Sequence, residues 1–332
     1  MRRRVIYKFW LSAISLVVLY LLYVVRQRTD QNVQRVTLTE KPRERTEDER
    51  LGPTELDNGA KLWRNSIHLS IVVCGDRGNE SITLIKSAVL LTKSYIVIHI
   101  FAEGELHSSL QNQSLLTNVD SLLYVDTDVL FLSPLEKIWS HFSRFNSYQV
   151  IAMAPDNEVR HTAWYNRFAK HPYYGELGVN SGVILMNLTR IRASTWLTSI
   201  IKYHKEYKSK MTYGDQDLMN IYFHFHPDEL YIYPCEWNYR PDHCMYTSVC
   251  EGANRDGAHV LHGNRRTMQN QKQRAFKAVY SAFKEYDFQE KLMISFLPML
   301  LRNLEAVAKT PCGKVGHIFS KRVAQFLNQE EK

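Results

Sequence analysis

"SLLYVDTDVLFL" (residues 121–132) sets two carboxylates, Asp126 and Asp128, one residue apart inside an otherwise apolar run. "SLLYV" reads as a buried strand, with the aspartates just past its carboxyl end. At i and i+2 of extended backbone the two side chains point the same way, and once the strand ends they can converge on one cation. A hard divalent ion takes oxygen ligands, often one or two carboxylates with substrate phosphates filling the remaining positions. The competing reading is a turn that caps a helix. Unpaired carboxylates so near a core are costly and a metal neutralises them, so the cation reading is preferred.

Outward from this stretch, strand patterns alternate with helical ones. "SIHLSIVVCG" (66–75) is β-branched and apolar, "NESITLIKSAVLLTKS" (79–94) carries apolar residues at helical spacing, and "YIVIHIFAE" (95–103) reads as a second strand. Strand, helix, strand in that order predicts a right-handed parallel unit and an α/β sheet with helices on both faces. "SYQVIAMAP", "GVNSGVILMN", "DELYIYP" and "AHVLHG" supply further strands. In open sheets of this kind ligands bind beyond the carboxyl ends of the strands, which is where Asp126 and Asp128 stand.

The first 65 residues differ in character. Residues 1–8 are a basic tail, and "FWLSAISLVVLYLLYVV" (9–25) is uncharged and long enough for a bilayer core. The run ends in bulky residues rather than a small-residue cleavage site, which predicts a single-pass signal anchor. The dense N-terminal basic cluster places the tail in the cytoplasm and the body in the lumen. Residues 26–65 read as an unstructured stem, 66–325 as the folded domain and 326–332 as a tail. The net charge of +8 does not point to nucleic acid, because residues 1–50 carry +5 of it. Three Asn-X-Ser/Thr triplets, at Asn79, Asn112 and Asn187, fit a lumenal address. Cys74 reads as a buried thiol. Cys235, Cys244, Cys250 and Cys312 can form two disulfides in any of three pairings, preferred over a zinc site with His243.

"LLYVDTDVLFL", "GVNSGVILMN", "YGDQDLMN" and "LHGNRR", in this order, resemble the glycogenin-like retaining glycosyltransferases of the GT-A fold. "HPYYGELGVNSGVILMN" and "PCEWNYRPDHC" are similar to the glucoside xylosyltransferases in particular. The resemblance, from about Ser66 to the C-terminal end, implies a type II enzyme of the Golgi or ER membrane. It implies transfer of xylose from UDP-xylose, in α1,3 linkage, to O-linked glucose on EGF-like repeats of Notch-type proteins.

The same resemblance implies roles for particular residues. Asp126, Asp128 and His262 correspond to ligands of Mn²⁺ (or Mg²⁺), with Thr127 beside them in the donor site. Asn180, Ser181 and Gly182 follow the donor-sugar element. Gly263 would let backbone approach the phosphates, and Arg265 or Arg266 would neutralise charge on the departing UDP; a solvated basic turn is the equal alternative. Asp215 and Gln216 match catalytic positions near the anomeric carbon and acceptor, and Asp215 also reads as the N-cap of the helix that follows. Asp217 departs from the glycine of glycogenins. Aromatic-polar loops containing Trp164, Tyr165, Tyr173 and Tyr174, and Trp237, Asn238, Tyr239 and Arg240, are candidates to receive the acceptor.

Two intervals are short for the family: "GELHSSLQNQSLLTNVD", between the second strand and "SLLYV", and the stretch before "GDQD". The first predicts a lost central element of the sheet, with a cavity and unpaired edges. Two alternatives to the xylosyltransferase follow. One is a relative using another UDP-sugar or acceptor; the other is an inactive membrane-anchored homologue or short isoform that only binds partners.

Overall fold

The computed structural model describes residues 65–102 and 118–330, together with Trp63 and Leu116. The expected anchor at 9–25, nearly all of the expected stem and the Asn112 triplet lie outside the described residues. Among those described, no helix is long and apolar enough to cross a membrane.

A six-stranded mixed sheet has the order β2-β1-β3-β6-β5-β7. It is built from β1 (Ile67–Val73), β2 (Ile96–Ala102), β3 (Ser121–Val125), β5 (Ile151–Pro155), β6 (Val179–Asn187) and β7 (Leu230–Ile232). β1 is parallel to both β2 and β3. β6 runs antiparallel to β3 and β5, and β5 pairs parallel with β7. One strand is therefore reversed among parallel neighbours, so the amino end of β6 lies at the same rim as the carboxyl ends of β1, β3, β5 and β7.

Period-two alternation fills both faces. Leu69, Ile71, Leu123, Val125, Val183 and Leu185 pack beneath α1 (Gly78–Leu91), which contributes Leu84 and Ala88. Ile151, Met153 and Ile184 face the other way, onto α2 (Trp196–Tyr207) and α3 (Asp215–Phe225), with Trp196, Tyr222 and Phe223. A third core lies under α4 (Arg274–Glu285), α5 (Leu297–Glu305) and α6 (His317–Glu330).

Three expectations need correction. The "VLFL" half of the opening stretch does not continue β3: β4 (Val129–Phe131) leaves the main sheet and pairs antiparallel with β8 (Val260–His262), because the turn at Asp126–Asp128 redirects the chain. The sheet also has no central gap, since β1 is hydrogen-bonded along both edges. Finally, Cys74 is half-buried at the end of β1 rather than fully buried. Asn79 is exposed, whereas the Asn187 side chain accepts the Arg190 N–H and caps a short helix.

The disulfides are Cys235–Cys250 and Cys244–Cys312, which excludes the zinc alternative. They tie the loop after β7 to itself and to the third core. The second closes a span of 68 residues and the first a span of 15. Loop-closure entropy therefore assigns about 4 kcal/mol to Cys244–Cys312 and about 1 kcal/mol less to the other. Replacing both Cys244 and Cys312 by Ala should lower Tm by roughly 10 °C in calorimetry, and more than the matching Cys235 and Cys250 pair of replacements.

Candidate active site

At the rim, β3 delivers Asp126 and the turn delivers Asp128. Pairing of β4 with β8 sets Val129 opposite His262 and brings the imidazole beside both carboxylates. His262 Nε2 lies 3.6 Å from Asp126 Oδ2 and 3.5 Å from Asp128 Oδ1. Backbone bonds fix the turn: Asp126 N–H donates to Gly182 O (3.0 Å) and Gly263 N–H to Asp128 O (2.7 Å).

The electrostatics favour a positive occupant. Burial pushes the Asp126 carboxyl up to about 7, with Asp128 and Asp215 adding to the rise and His262 and the Tyr124 hydroxyl opposing it. Burial also acts to raise Asp128, but the hydrogen bond and charge of His262, with Arg77 nearby, hold it below the ordinary carboxylate value. One ligand atom from each of Asp126, Asp128 and His262 falls within a 4.8 Å cluster. Two carboxylate oxygens and an imidazole nitrogen suit a Mn²⁺- or Mg²⁺-like ion, with imidazole favouring the former. His262 Nδ1 is tied to Asn238 Oδ1 at 2.9 Å, the outer-sphere support that metal-binding histidines carry. The Asp126 side chain is 37% accessible, leaving the carboxylate face open to a ligand from solvent.

Gly182 explains how the ring fits. A Cβ built there would stand 2.0 Å from His262 Cε1, so β6 needs a residue without a side chain where the imidazole lies flat against it. Asn180, on the same strand face, donates from Nδ2 to Gln216 Oε1 (2.8 Å) and Asp156 Oδ1 (3.3 Å). Gln216 Nε2 donates to Asp156 Oδ1 (3.3 Å) and the Tyr165 hydroxyl (3.2 Å). Arg240 closes this group from behind, its Nη1 2.9 Å from Asp156 Oδ1. Burial pushes the Asp215 carboxyl up to about 6.

Several expected site residues do other work. Thr127 turns to α1, where its hydroxyl donates to Glu80 (3.4 Å). Ser181 contributes its backbone N–H to Gln216 Oε1 (3.3 Å). The space beside Gly263 is filled by the Met268 side chain, 2.4 Å from a built Cβ. Asp215 is the first residue of α3 rather than its N-cap, which is Gly214 at φ 60°. Arg265 and Arg266 both adopt left-handed backbone (φ 58° and 59°), a conformation that costs side-chain-bearing residues energy. Arg265 is committed to Asp242, while Arg266 reaches across to Asp76 (3.7 Å) at the end of β1.

The acceptor expectation is corrected most. Tyr239 is fully buried against Phe276 and Phe319, Trp237 stacks on His259 at 3.8 Å, and Arg240 is 2% exposed. Tyr165 is buried with its hydroxyl on Asp217 (2.8 Å). Of the eight candidates, Trp164, Tyr173 and Tyr174 are partly open, and Trp164 packs on exposed Tyr213 at 4.5 Å between ring centroids. Sequence reasoning missed Tyr213 and Asp156. Asp156 carries the same signal as Asp126, a first polar residue after an apolar strand run.

Asp217 is structural: its Oδ2 accepts the backbone N–H of Thr212 and Tyr213 (2.5 and 2.7 Å), and its Oδ1 lies 3.4 Å from His171 Nε2. His171 Nδ1 faces the Pro172 carbonyl at 2.8 Å, and its Nε2 is at ion-pair distance from Asp217 without a hydrogen bond.

Residues 106–267 match the family model described as glycosyl transferase family 8. The chain is 42% identical to glucoside xylosyltransferase 2 of Xenopus laevis over 317 residues, spanning 79% of this chain and 75% of that protein. Glucoside xylosyltransferase 1 of Homo sapiens is 41% identical over 314 residues, with 79% and 71% covered. A solved active-site mutant of LgtC superposes with TM-score 0.50 at 14% identity, covering 66% of this chain and 95% of that one, which is a likeness of fold.

Replacing Gly182 by Ala should push His262 off the carboxylates and weaken Mn²⁺ affinity by ~10–100-fold in a metal titration, with the folded content retained. At Asp217, replacement by Asn should cost roughly 3 kcal/mol of stability. Burial works to raise the Asp217 carboxyl, but its bonds hold it below the ordinary 3.8, so its contribution is present above that value and fades as pH falls through the lowered one. Burial works to lower His171, but Asp217 and the Pro172 carbonyl raise it above 6.5, so its contribution is present below that value and fades as pH rises through the raised one. The Tm advantage of the wild type over Asp217→Asn should therefore be fullest at about pH 5–6 and shrink on both sides.

Proposed function

The chain belongs to the glucoside xylosyltransferases of glycosyl transferase family 8, and from that membership we propose that it transfers xylose from UDP-xylose to O-linked glucose on EGF-like repeats of Notch-type proteins. The observation that carries the reading is the clustering of Asp126, Asp128 and His262 at the rim where β3 ends.

A bound Mn²⁺ or Mg²⁺ would be held by these three side chains and would supply Lewis acidity to the diphosphate leaving group. Arg266, whose partner Asp76 is exposed, is free to swing to the diphosphate, and its guanidinium geometry suits phosphate oxygens. Asn180 and Gln216 line the sugar side, where a donor hydroxyl would exchange with the bonds that they make to each other, to Asp156 and to Tyr165, and Asp156 is held in place for the same purpose by Arg240. The bond from the anomeric carbon to the diphosphate oxygen breaks. The acceptor hydroxyl forms the new bond on the same face, so the α configuration is retained, and its proton leaves with the diphosphate. No covalent nucleophile is assigned. The Trp164–Tyr213 pair offers aromatic faces for the acceptor glucose or its peptide.

Two disulfides accord with an oxidising compartment. With the apolar run at 9–25, they support a type II protein of the Golgi or ER membrane facing the lumen.

The test is the full chain, in detergent, with UDP-xylose, Mn²⁺ and a glucosylated EGF repeat, read by mass spectrometry for one added pentose. Transfer is expected, lost on chelation with EDTA and reduced at least ~100-fold by Asp128→Asn. Turnover only with another UDP-sugar, acceptor binding without transfer, or undiminished activity after thorough chelation would overturn the reading.

A further inference from the structure

We propose that Asn238 is a positioning residue that sets the tautomer of His262 and couples the cation site to the sugar-side amide Asn180. Asn238 is fully buried, between Asn180 at 5% and His262 at 3% exposure. It lies on the loop that follows β7 and touches neither solvent nor the open face of the site.

The argument is one of polarity. Gly182 N–H can only donate, and it faces Asn180 Oδ1 at 3.1 Å. The Asp156 carboxylate accepts from Asn180 Nδ2 at 3.3 Å. These two contacts leave Asn180 a single orientation, oxygen toward Gly182 and nitrogen toward Asp156. Its oxygen then also faces Asn238, whose Nδ2 donates to it at 2.8 Å. That in turn places the Asn238 oxygen on His262 Nδ1 at 2.9 Å. An amide oxygen only accepts, so the ring carries a proton on Nδ1, and Nε2, on the side of Asp126 and Asp128, is the nitrogen left for a cation to take. A backbone N–H on β6 thus dictates, through two amides, which nitrogen of a histidine on β8 is available to a cation.

The same geometry couples two functions. Asn180 holds Gln216 Oε1 at 2.8 Å, so a change at Asn238 reaches the sugar-side group as well as the cation side. The kinetic part of this inference rests on the transferase reading above; the metal-binding part does not.

Substitution separates the two. Asn238→Asp keeps an acceptor for His262 Nδ1 but replaces the donor to Asn180 with a second acceptor. Mn²⁺ affinity of the full chain, measured by electron paramagnetic resonance of the free ion, should stay within ~3-fold of wild type, while kcat/KM for UDP-xylose falls ~10-fold or more. Asn238→Ala removes both contacts and should weaken Mn²⁺ binding ~10–100-fold as well. Circular dichroism and Tm establish that each chain is folded. Wild-type Mn²⁺ affinity in folded Asn238→Ala, or equal loss of affinity in both variants, overturns the proposal.

If neither variant folds, ¹⁵N-histidine spectra of the wild type decide, with the His262 signal assigned by its loss in His262→Gln. An Nδ1-protonated ring supports the assignment and an Nε2-protonated neutral ring overturns it. A wild type that binds Mn²⁺ yet transfers no xylose would defeat the functional reading and leave the metal arm intact.

Discussion

Two carboxylates and an imidazole held together at a half-buried rim make a demand for positive charge that the surrounding protein does not meet. Arg77, whose charge acts on Asp128, is itself paired with Glu80, and Arg265 is committed to Asp242. What keeps the acidic pair together is therefore covalent and hydrogen-bonded geometry. Asp126 is anchored to β6 through Gly182 O and Asp128 to the start of the next loop through Gly263 N. A small two-stranded ribbon, β4 with β8, keeps the imidazole in register. Such rigidity is what lets a site tolerate like charges that would otherwise separate or take up a proton.

The reversed strand does the rest of the assembly. With every strand parallel, the start of β6 would lie at the far edge of the sheet. Running backwards, it brings Val179, Asn180 and Gly182 to the rim, beside the ends of β3 and β5. α3 then adds Gln216 from the first turn of a helix whose buried Leu218, Met219 and Tyr222 are locked into the second core. Each polar side chain of the site thus stands one or two residues from a buried apolar one. Loss of such an anchor costs roughly 2–5 kcal/mol, so the site geometry inherits the stiffness of the sheet.

Most of this was legible in the sequence where one signal suffices. Apolar runs marked every strand of the main sheet, and the polar residue ending such a run marked Asp126. The failures share a cause: they concern which way a residue faces, which depends on partners distant in the chain. "PCEWNYRPDHC" looks like a display of rings and charges, yet its aromatic residues fill cores supplied by α4, α6 and β8, and Arg240 neutralises Asp156. Gly182 reads as part of the donor-sugar element, and its structural reason, the flank of an imidazole 80 residues later in the sequence, is visible only once β6 and β8 are placed. The choice of β4's partner and the disulfide pairing are likewise tertiary facts.

The short interval between β2 and β3 bears on whether this architecture stands at all. Both strands run parallel to β1 and flank it, so the chain leaves β2 at the rim and must return to the opposite edge before entering β3. A parallel crossover needs about a dozen residues or more. Eighteen residues separate Ala102 from Ser121, enough for the return. The elements bearing the cation triad and the amide group are β3, β6, β8, α3 and the loop after β7, and their mutual contacts do not pass through this interval. Among the described residues, the polar chain from Gly182 to His262 has every one of its partners.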